Sequence, residues 1–516
     1  MTVGTAGRPT TVALGDFVAS LRLADIPADV VEKLKCNLLH DLACSLAAHS
    51  VGGPAWALAA GTGPAESTLF CVGSRVHAEQ AAFANAVVMH GRAQDDTHFR
   101  AKCHAGSIVI PAALATAERL GASGARTVAA IVAGYEVATA VGELLADLST
   151  ARGFRSSMVY GTLGSAAATA SLLGLDAAGV ADAIGIATSF SAGLNEAWVE
   201  GSSEWRWEMG VASRNGIVAA RLAAEGARGA RNAFEGPAGF VRAFTGQEGW
   251  EPPADWELGR RWRILDVIYK AHPVCNITQS TVDVGMALAR EHDLTPRDIE
   301  QVTLYLNPAD RLYPGTLNWG PFEDVGATLM SAPYCLAMAL AERTATLAGL
   351  RRFDDPDIAA LIGKIDVVPD DRLPVLSARV ELRTADGRDV LQKSRIELLR
   401  SRDTQLHHSG LHVQRSDAHG GIELPTEGSK REHRRRLQRL RDLPQYRIYS
   451  LNRSCRITAP PSIELAQGDR AGSKHFVFFI RYGGKWRASS MRMNSRMTSS
   501  RCARAGARFG FEHVAS

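Results

Sequence analysis

Small residues set the terms on which this chain can fold. From its start to about residue 250 it reads as one helical pattern after another, built largely from alanine and glycine. FVASLRLADI breaks before Pro27. PADVVEKLKCNLLHDLACSLAAH then resumes with apolar residues at three- and four-residue spacing, and Pro27 falls in its first turn. HAEQAAFANAVVMHG, PAALATAERLGA, TVAAIVAGYEVATAVGELLAD, GTLGSAAATASLLG, AAGVADAIGIATSFSAGL and NGIVAARLAAEG follow. Helices faced with small side chains approach closely, so the pattern predicts a compact all-helical domain over 1–259.

Near Arg260 the character changes. The helix QSTVDVGMALAREH precedes IEQVTLYLNP, which alternates as a strand does. ARVELRT and RDVLQ flank ADGR, an Asp-Gly hairpin signal. Residues 260–394 therefore read as a smaller α/β domain, and the chain as mostly α. From Arg395 no sustained period appears, and the charge balance reverses. There are 24 Lys+Arg against 10 Asp+Glu in 395–516, whereas 34 basic and 44 acidic residues precede them. REHRRRLQRLR (431–441) could bind nucleic acid, but the composition favours an irregular, disordered or non-native tail and no nucleic-acid partner. Eight scattered cysteines without a CxxC pair argue for reduced thiols and against a structural zinc. No run approaches the roughly 18–20 apolar residues that span a bilayer, and no secretion signal opens the chain. A cytoplasmic protein is expected.

One stretch stands apart. HGRAQDDTHFRAKCHAGS (90–107) sets His90, Asp95, Asp96, Thr97, His98, Arg100, Lys102 and His104 between two apolar helical patterns. Unpaired buried charge is costly, so such a cluster is wet, mutually paired or chemically employed. His90 and His98 read as packing or helix-end histidines. Cys103 reads as packing rather than a nucleophile. No metal is expected, because no helical HxxxH or EF-hand spacing is present. GTLGSAAA lacks the Gly-Lys-Ser/Thr of a phosphate loop.

The order of motifs resembles the MmgE/PrpD family, which includes 2-methylcitrate dehydratase, cis-aconitate decarboxylase and iminodisuccinate epimerase. QDDTHFRAKCHAGSIVIPAALATAE (94–118), RGFRSSMVYGTLGSAAATASLLGLD (152–176), GVASRNGIVAARLAAEGARG (210–229), YKAHPVCNITQSTVDV (269–284) and ATLMSAPYCLAMAL (327–340) carry it. The resemblance covers roughly 10–394 and stops near Gln392, where the family continues with a strand, a Gly-Asp-Pro turn and helices that pack back on the large domain. An out-of-frame or otherwise aberrant origin of 395–516 accounts for that break, and would deprive the large domain of its closing helices. The resemblance implies a lid-like small domain, an active site between the domains, a homodimer and no cofactor.

The resemblance also implies chemistry on a small di- or tricarboxylate: loss of water, loss of carbon dioxide, or inversion next to a carboxylate. A 2-methylcitrate dehydratase-like hydro-lyase is the first reading. A decarboxylase, an epimerase and a non-catalytic carboxylate binder are the alternatives. His104 of His-Ala-Gly matches the catalytic histidine and suits proton transfer near neutral pH. Asp96 and Thr97 match the acidic motif and are expected to orient that histidine or bind a carboxyl group. Lys270 and His272 of KAHP are expected at substrate carboxylates, and Tyr334 is expected to donate a proton or hydrogen bond. The chain departs from the family at Ala93, where DFDDT begins with aspartate. It departs again at Arg155, which replaces a second histidine, and near Arg206, where a lysine is usual. Arginine clamps carboxylates but is a poor acid or base, so these changes point to a divergent substrate.

Overall fold

The computed structural model describes residues 8–61 and 63–395, together with four strands between 446 and 494. Residues 1–411 and 412–516 form separate units. The first unit is mostly helical, and the observed helices fall where the three- and four-residue spacing places them. Pro27 is the N-cap of the helix Ala28–Ala47 rather than a residue of its first turn. Ser123 and Asp176 cap Gly124–Ala151 and Ala177–Thr188 by accepting the Arg126 and Gly179 amides, and left-handed glycines at 121 and 174 close the helices before them.

The small residues do what the sequence asks of them. A Cβ on Gly134 of the long helix would lie 2.7 Å from the Gly164 carbonyl, and one on Gly164 would lie 2.6 Å from the Gly134 carbonyl. Two helices thus touch backbone to backbone. Gly164→Val gains about 0.5 kcal/mol of helix propensity, but a backbone carbonyl cannot move aside as a side-chain tip can. The variant is expected to lose about 3 kcal/mol net, read as a lowered Tm. A Tm equal to wild type would show that this contact does not set the helix spacing. Among the described residues, Gly124–Ala151 is the one helix long and apolar enough to cross a membrane, a length the sequence reading had not credited. It is mostly buried in the helical core.

Two large hydrophobic cores, with two smaller ones beside them, organise the first unit. One is made by helices from Leu14 to Val241, completed by Trp256, Trp262, Ile264 and Val267. The other runs from Val274 onward and takes in Ala93, Trp198 and Trp205 from the helical half. In the second, Ile365–Pro369 lies parallel to Ile299–Leu306. That strand pairs antiparallel with Ser377–Thr384, which pairs in turn with Asp389–Arg395. The alternation seen in IEQVTLYL buries Ile299, Val302, Leu304 and Leu306. The expected hairpin turns at Ala385–Arg388, with Gly387 at φ +85. Helices Gln279–Glu291 and Ala332–Glu342 pack beside this sheet.

Of the segment read as an irregular tail, the described part is one antiparallel sheet, in the order Lys485–Asn494, Ser473–Tyr482, Ile463–Arg470, Tyr446–Ser450. The basic run 431–441 lies outside the described residues.

Candidate active site

The segment 90–107 lies on the seam between the two cores. Its short strand Thr97–His98 pairs antiparallel with Val267–Ile268, so the chain leading to Lys270 is fixed against the loop that ends in His104. His98 holds the loop shut. It exchanges backbone hydrogen bonds with Cys103, and its ring Nδ1 accepts the Ala101 amide. Its other ring nitrogen, Nε2, lies 3.6 Å from the buried Glu143 carboxylate. Cys103 is buried, and burial pushes its thiol up.

His104 Nδ1 lies 3.0 Å from the Asp96 carbonyl, 3.2 Å from the Thr97 hydroxyl and 3.2 Å from Asp95 Oδ2. A carbonyl only accepts, so Nδ1 carries the hydrogen. In the neutral ring Nε2 then holds the lone pair, and it has no hydrogen-bond partner among the described residues. Burial lowers the pKa of His104 and is partly countered by the Asp95 charge, so the ring is a neutral base at pH 7. Ser157 steadies it by accepting its backbone amide at 3.1 Å.

Asp95, which the sequence reading placed in the cluster without a catalytic role, is the carboxylate beside His104. Both its oxygens accept from His90 Nδ1, at 2.8 and 2.9 Å, and the Ser107 hydroxyl donates to Oδ2. Burial alone would raise its pKa, but His90 and His104 outweigh that and hold it well below the usual carboxylate range. His90, read from sequence as packing, is instead a link in a chain. Arg155 Nη2 lies 2.8 Å from His90 Nε2. Arginine only donates, so Nε2 must accept, and His90 is fixed as the neutral Nδ1–H form. Burial, which pushes its pKa down to about 3, favours the same form.

The expected residues separate at this point. Asp96 touches His104 only through its backbone carbonyl. Its carboxylate turns away to accept the Tyr135 hydroxyl at 2.5 Å and the Gly106 amide at 3.0 Å. Thr97 and Lys270 do come together with His104. The buried Lys270 ammonium donates to the Ala93 carbonyl, and its charge helps depress the His104 pKa. Burial in turn lowers the pKa of Lys270, against the pull of Asp95. Ala93, where the family has aspartate, sits at φ +51 in the buried turn of the loop.

Arg155 is committed to Glu208 Oε2 at 2.7 Å, to the Trp205 carbonyl and to His90, so two of its nitrogens are already engaged. Arg206 donates from Nε to the Gly91 carbonyl at 3.2 Å and stacks on Trp205 at 4.0 Å; it has no ion pair among the described residues. His272 pairs instead with Asp283 at 2.7 Å, in the α/β half. Tyr334 also departs from expectation. Its hydroxyl donates to the Gly349 carbonyl at 2.8 Å and its ring packs on Phe322, while its charged neighbours are Glu342 and Asp355. Tyr313, which no motif marked, lies instead within electrostatic reach of Arg155, Glu208 and Cys275.

His90, Asp95 and His104 offer ligand atoms within 4.8 Å of one another. A cation does not suit them: Arg155 already covers His90 Nε2, and Asp95 is saturated by His90, His104 and Ser107. The groove lined by Phe234, Glu235, Arg242 and Trp250 shares no residue with this cluster.

The MmgE/PrpD N-terminal domain profile matches residues 12–253, and the C-terminal domain profile matches 272–409, beyond the Gln392 limit drawn from sequence. The chain is 28% identical over 415 residues to cis-aconitate decarboxylase of Aspergillus terreus (strain NIH 2624 / FGSC A1156), covering 74% of this chain and 84% of the relative. It is 32% identical over 280 residues to the cis-aconitate decarboxylase-like protein oryM of Aspergillus oryzae, covering 51% of this chain and 58% of that one. With both domain profiles matched in order along a chain of this architecture, the protein belongs to the MmgE/PrpD family.

Proposed function

We propose that this protein is a cofactor-independent lyase of a small di- or tricarboxylate, with His104 Nε2 moving the proton at carbon and Lys270 and Arg206 holding carboxylates. One observation carries the reading. The His104 ring is locked through Nδ1 by the Asp96 carbonyl and Asp95, which leaves Nε2 as an unengaged base beside a buried lysine. In loss of water, Nε2 takes the proton next to a carboxylate. The C–H electron pair becomes the double bond, and the β-hydroxyl leaves as water with a proton from a neutral acid. Tyr313, its phenol pushed up by burial, is our candidate for that acid.

The names of the relatives favour a second reading, decarboxylation. There the C–C pair stays on carbon as carbon dioxide leaves, and an imidazolium must protonate that carbon. The two readings differ in sign. A neutral base makes kcat rise with pH through the His104 pKa, and an imidazolium acid makes it fall. Incubation with citrate, 2-methylcitrate and cis-aconitate, followed by NMR, is expected to show loss of water from the two hydroxy acids. Release of carbon dioxide from cis-aconitate would establish the second reading. A ligand at 100 times its Kd should also stabilise the fold by about 2.7 kcal/mol. Neither turnover nor stabilisation with any acid would sink both readings.

The two tyrosines offer an independent check. Tyr313→Phe is expected to lower kcat at least about tenfold. Tyr334→Phe should leave kcat near wild type while costing about 1 kcal/mol of stability, because it removes one buried hydrogen bond to the Gly349 carbonyl, which keeps the Arg352 amide as a donor. The reverse pattern would restore Tyr334 to the site.

A further inference from the structure

Beneath the His104 loop lies a second carboxyl group that the chemistry above does not use. Asp41, on the helix Ala28–Ala47, is wholly buried, as is Asp96. Asp41 Oδ1 accepts the Asp96 backbone amide at 3.0 Å, while Asp41 Oδ2 is buried with no hydrogen-bond partner. Each Asp96 oxygen already accepts one hydrogen bond, from Gly106 N–H on Oδ1 and from the Tyr135 hydroxyl on Oδ2, which favours its ionised form and leaves a lone pair for a further donor. The groups converge on one point. A Cβ on Gly106 would collide with Asp41 Oδ2 and would lie 2.5 Å from the Tyr135 hydroxyl and 2.6 Å from Asp96 Oδ1.

No cation settles the charge of this pair directly. Lys33, whose charge reaches the pair, donates to the Val267 carbonyl at 2.6 Å and stacks on Tyr269. Around the pair stand Lys33, Asn37 and Cys44 from the Asp41 helix, Asp95 and His104 from the loop, Tyr135 from the long helix and Tyr269 from the segment before Lys270. Asp95 adds a further negative charge. Two adjacent buried carboxylates with a third nearby cannot all be ionised.

We propose that Asp41 and Asp96 hold one proton between them, Asp41 as the acid donating from Oδ2 and Asp96 as the carboxylate. The pair thereby pins the Asp96 carbonyl against His104 Nδ1 and sets that ring's tautomer. Asp41 is then a positioning residue, acting through Asp96, and this half of the proposal rests on the His104 reading above. Burial and the mutual repulsion of the carboxylates raise the pKa of Asp41 well above the usual range. Burial, against the Tyr135 hydrogen bond, raises that of Asp96 to about 7. A carboxyl group whose pKa is raised on folding keeps its proton in the folded state. Stability therefore falls as pH rises from the unfolded carboxylate value, near 4, toward the folded one.

Asparagine at 41 keeps the acceptor for the Asp96 amide and offers an N–H donor toward Asp96, with nothing to titrate. The test compares the intact chain with Asp41→Asn, Asp41→Ala and Asp96→Asn. Between pH 5 and 9 the wild-type Tm is expected to fall more steeply than that of Asp41→Asn. Asp96→Asn carries the same expectation and stands in if Asp41→Asn does not fold. Parallel slopes would overturn the shared proton whether or not any substrate has been found. For positioning, Asp41→Ala is expected to lower kcat about tenfold with KM changed less than threefold, and Asp41→Asn is expected to restore kcat. Equal loss in both variants would overturn the link to His104, leaving the slope comparison to decide the shared proton alone.

Discussion

Glutamine in place of His104 is expected to lower kcat by roughly 10²–10⁴ while the protein keeps its fold. The substitution separates support from chemistry. A glutamine amide can still donate to the Asp96 carbonyl, so the loop that ends at Gly106 retains an anchor there. What it cannot supply is a basic nitrogen on the open side of the ring. The stability cost should stay near 1 kcal/mol, because the wild-type imidazole is already neutral and no buried charge loses its counter-ion. In deuterated solvent, exchange of the substrate proton next to the carboxylate should vanish along with turnover. A variant that retained more than a fifth of wild-type kcat would remove His104 from the proton-transfer step.

The same geometry shows how far a sequence can be read here. That residues 90–107 are employed is legible, because acids and imidazoles do not gather between apolar helices without partners. The Asp-Gly hairpin and the alternating strand at 299–306 are legible because their signals are local. The division of labour between Asp95 and Asp96 is not. Adjacent residues in a turn aim their side chains apart, and only the backbone path decides which one faces His104. The role of His90 depends on Arg155, which is 65 positions away. The partner of Arg155, Glu208, lies on yet another helix. Tyr334 matched a motif, yet its helix buries the ring in the α/β core, and the tyrosine near Arg155 comes from the unmarked segment around 313. Contacts at such separations leave no period in the chain.

Asp95→Asn is expected to be the second most damaging change, lowering kcat about 10²–10³-fold and stability by about 1–3 kcal/mol. In the native site Asp95 receives three donors: His90 Nδ1, His104 Nδ1 and Ser107 Oγ. An asparagine offers one acceptor oxygen and turns its N–H₂ toward donors. His90 cannot relieve the conflict by exchanging tautomers, because its other nitrogen would then carry a hydrogen facing Arg155, which only donates and offers no acceptor. His104 can relieve it only by leaving the Asp96 carbonyl, which moves the base away from its working position. The pH dependence follows from the depressed Asp95 pKa. Its stabilisation is complete above the unfolded carboxylate value, near 4, and is lost as pH falls toward the folded one. The stability gap between wild type and Asp95→Asn should therefore be widest at neutral pH and should narrow in acid. A gap independent of pH, or turnover within a few-fold of wild type, would mean that Asp95 merely fills space beside the histidines. Asp96→Asn is the necessary companion. Because Asp96 meets His104 through a carbonyl that asparagine also possesses, its kcat should fall far less than that of Asp95→Asn. The contrast between two neighbouring aspartates is then the most direct reading of which one faces the chemistry.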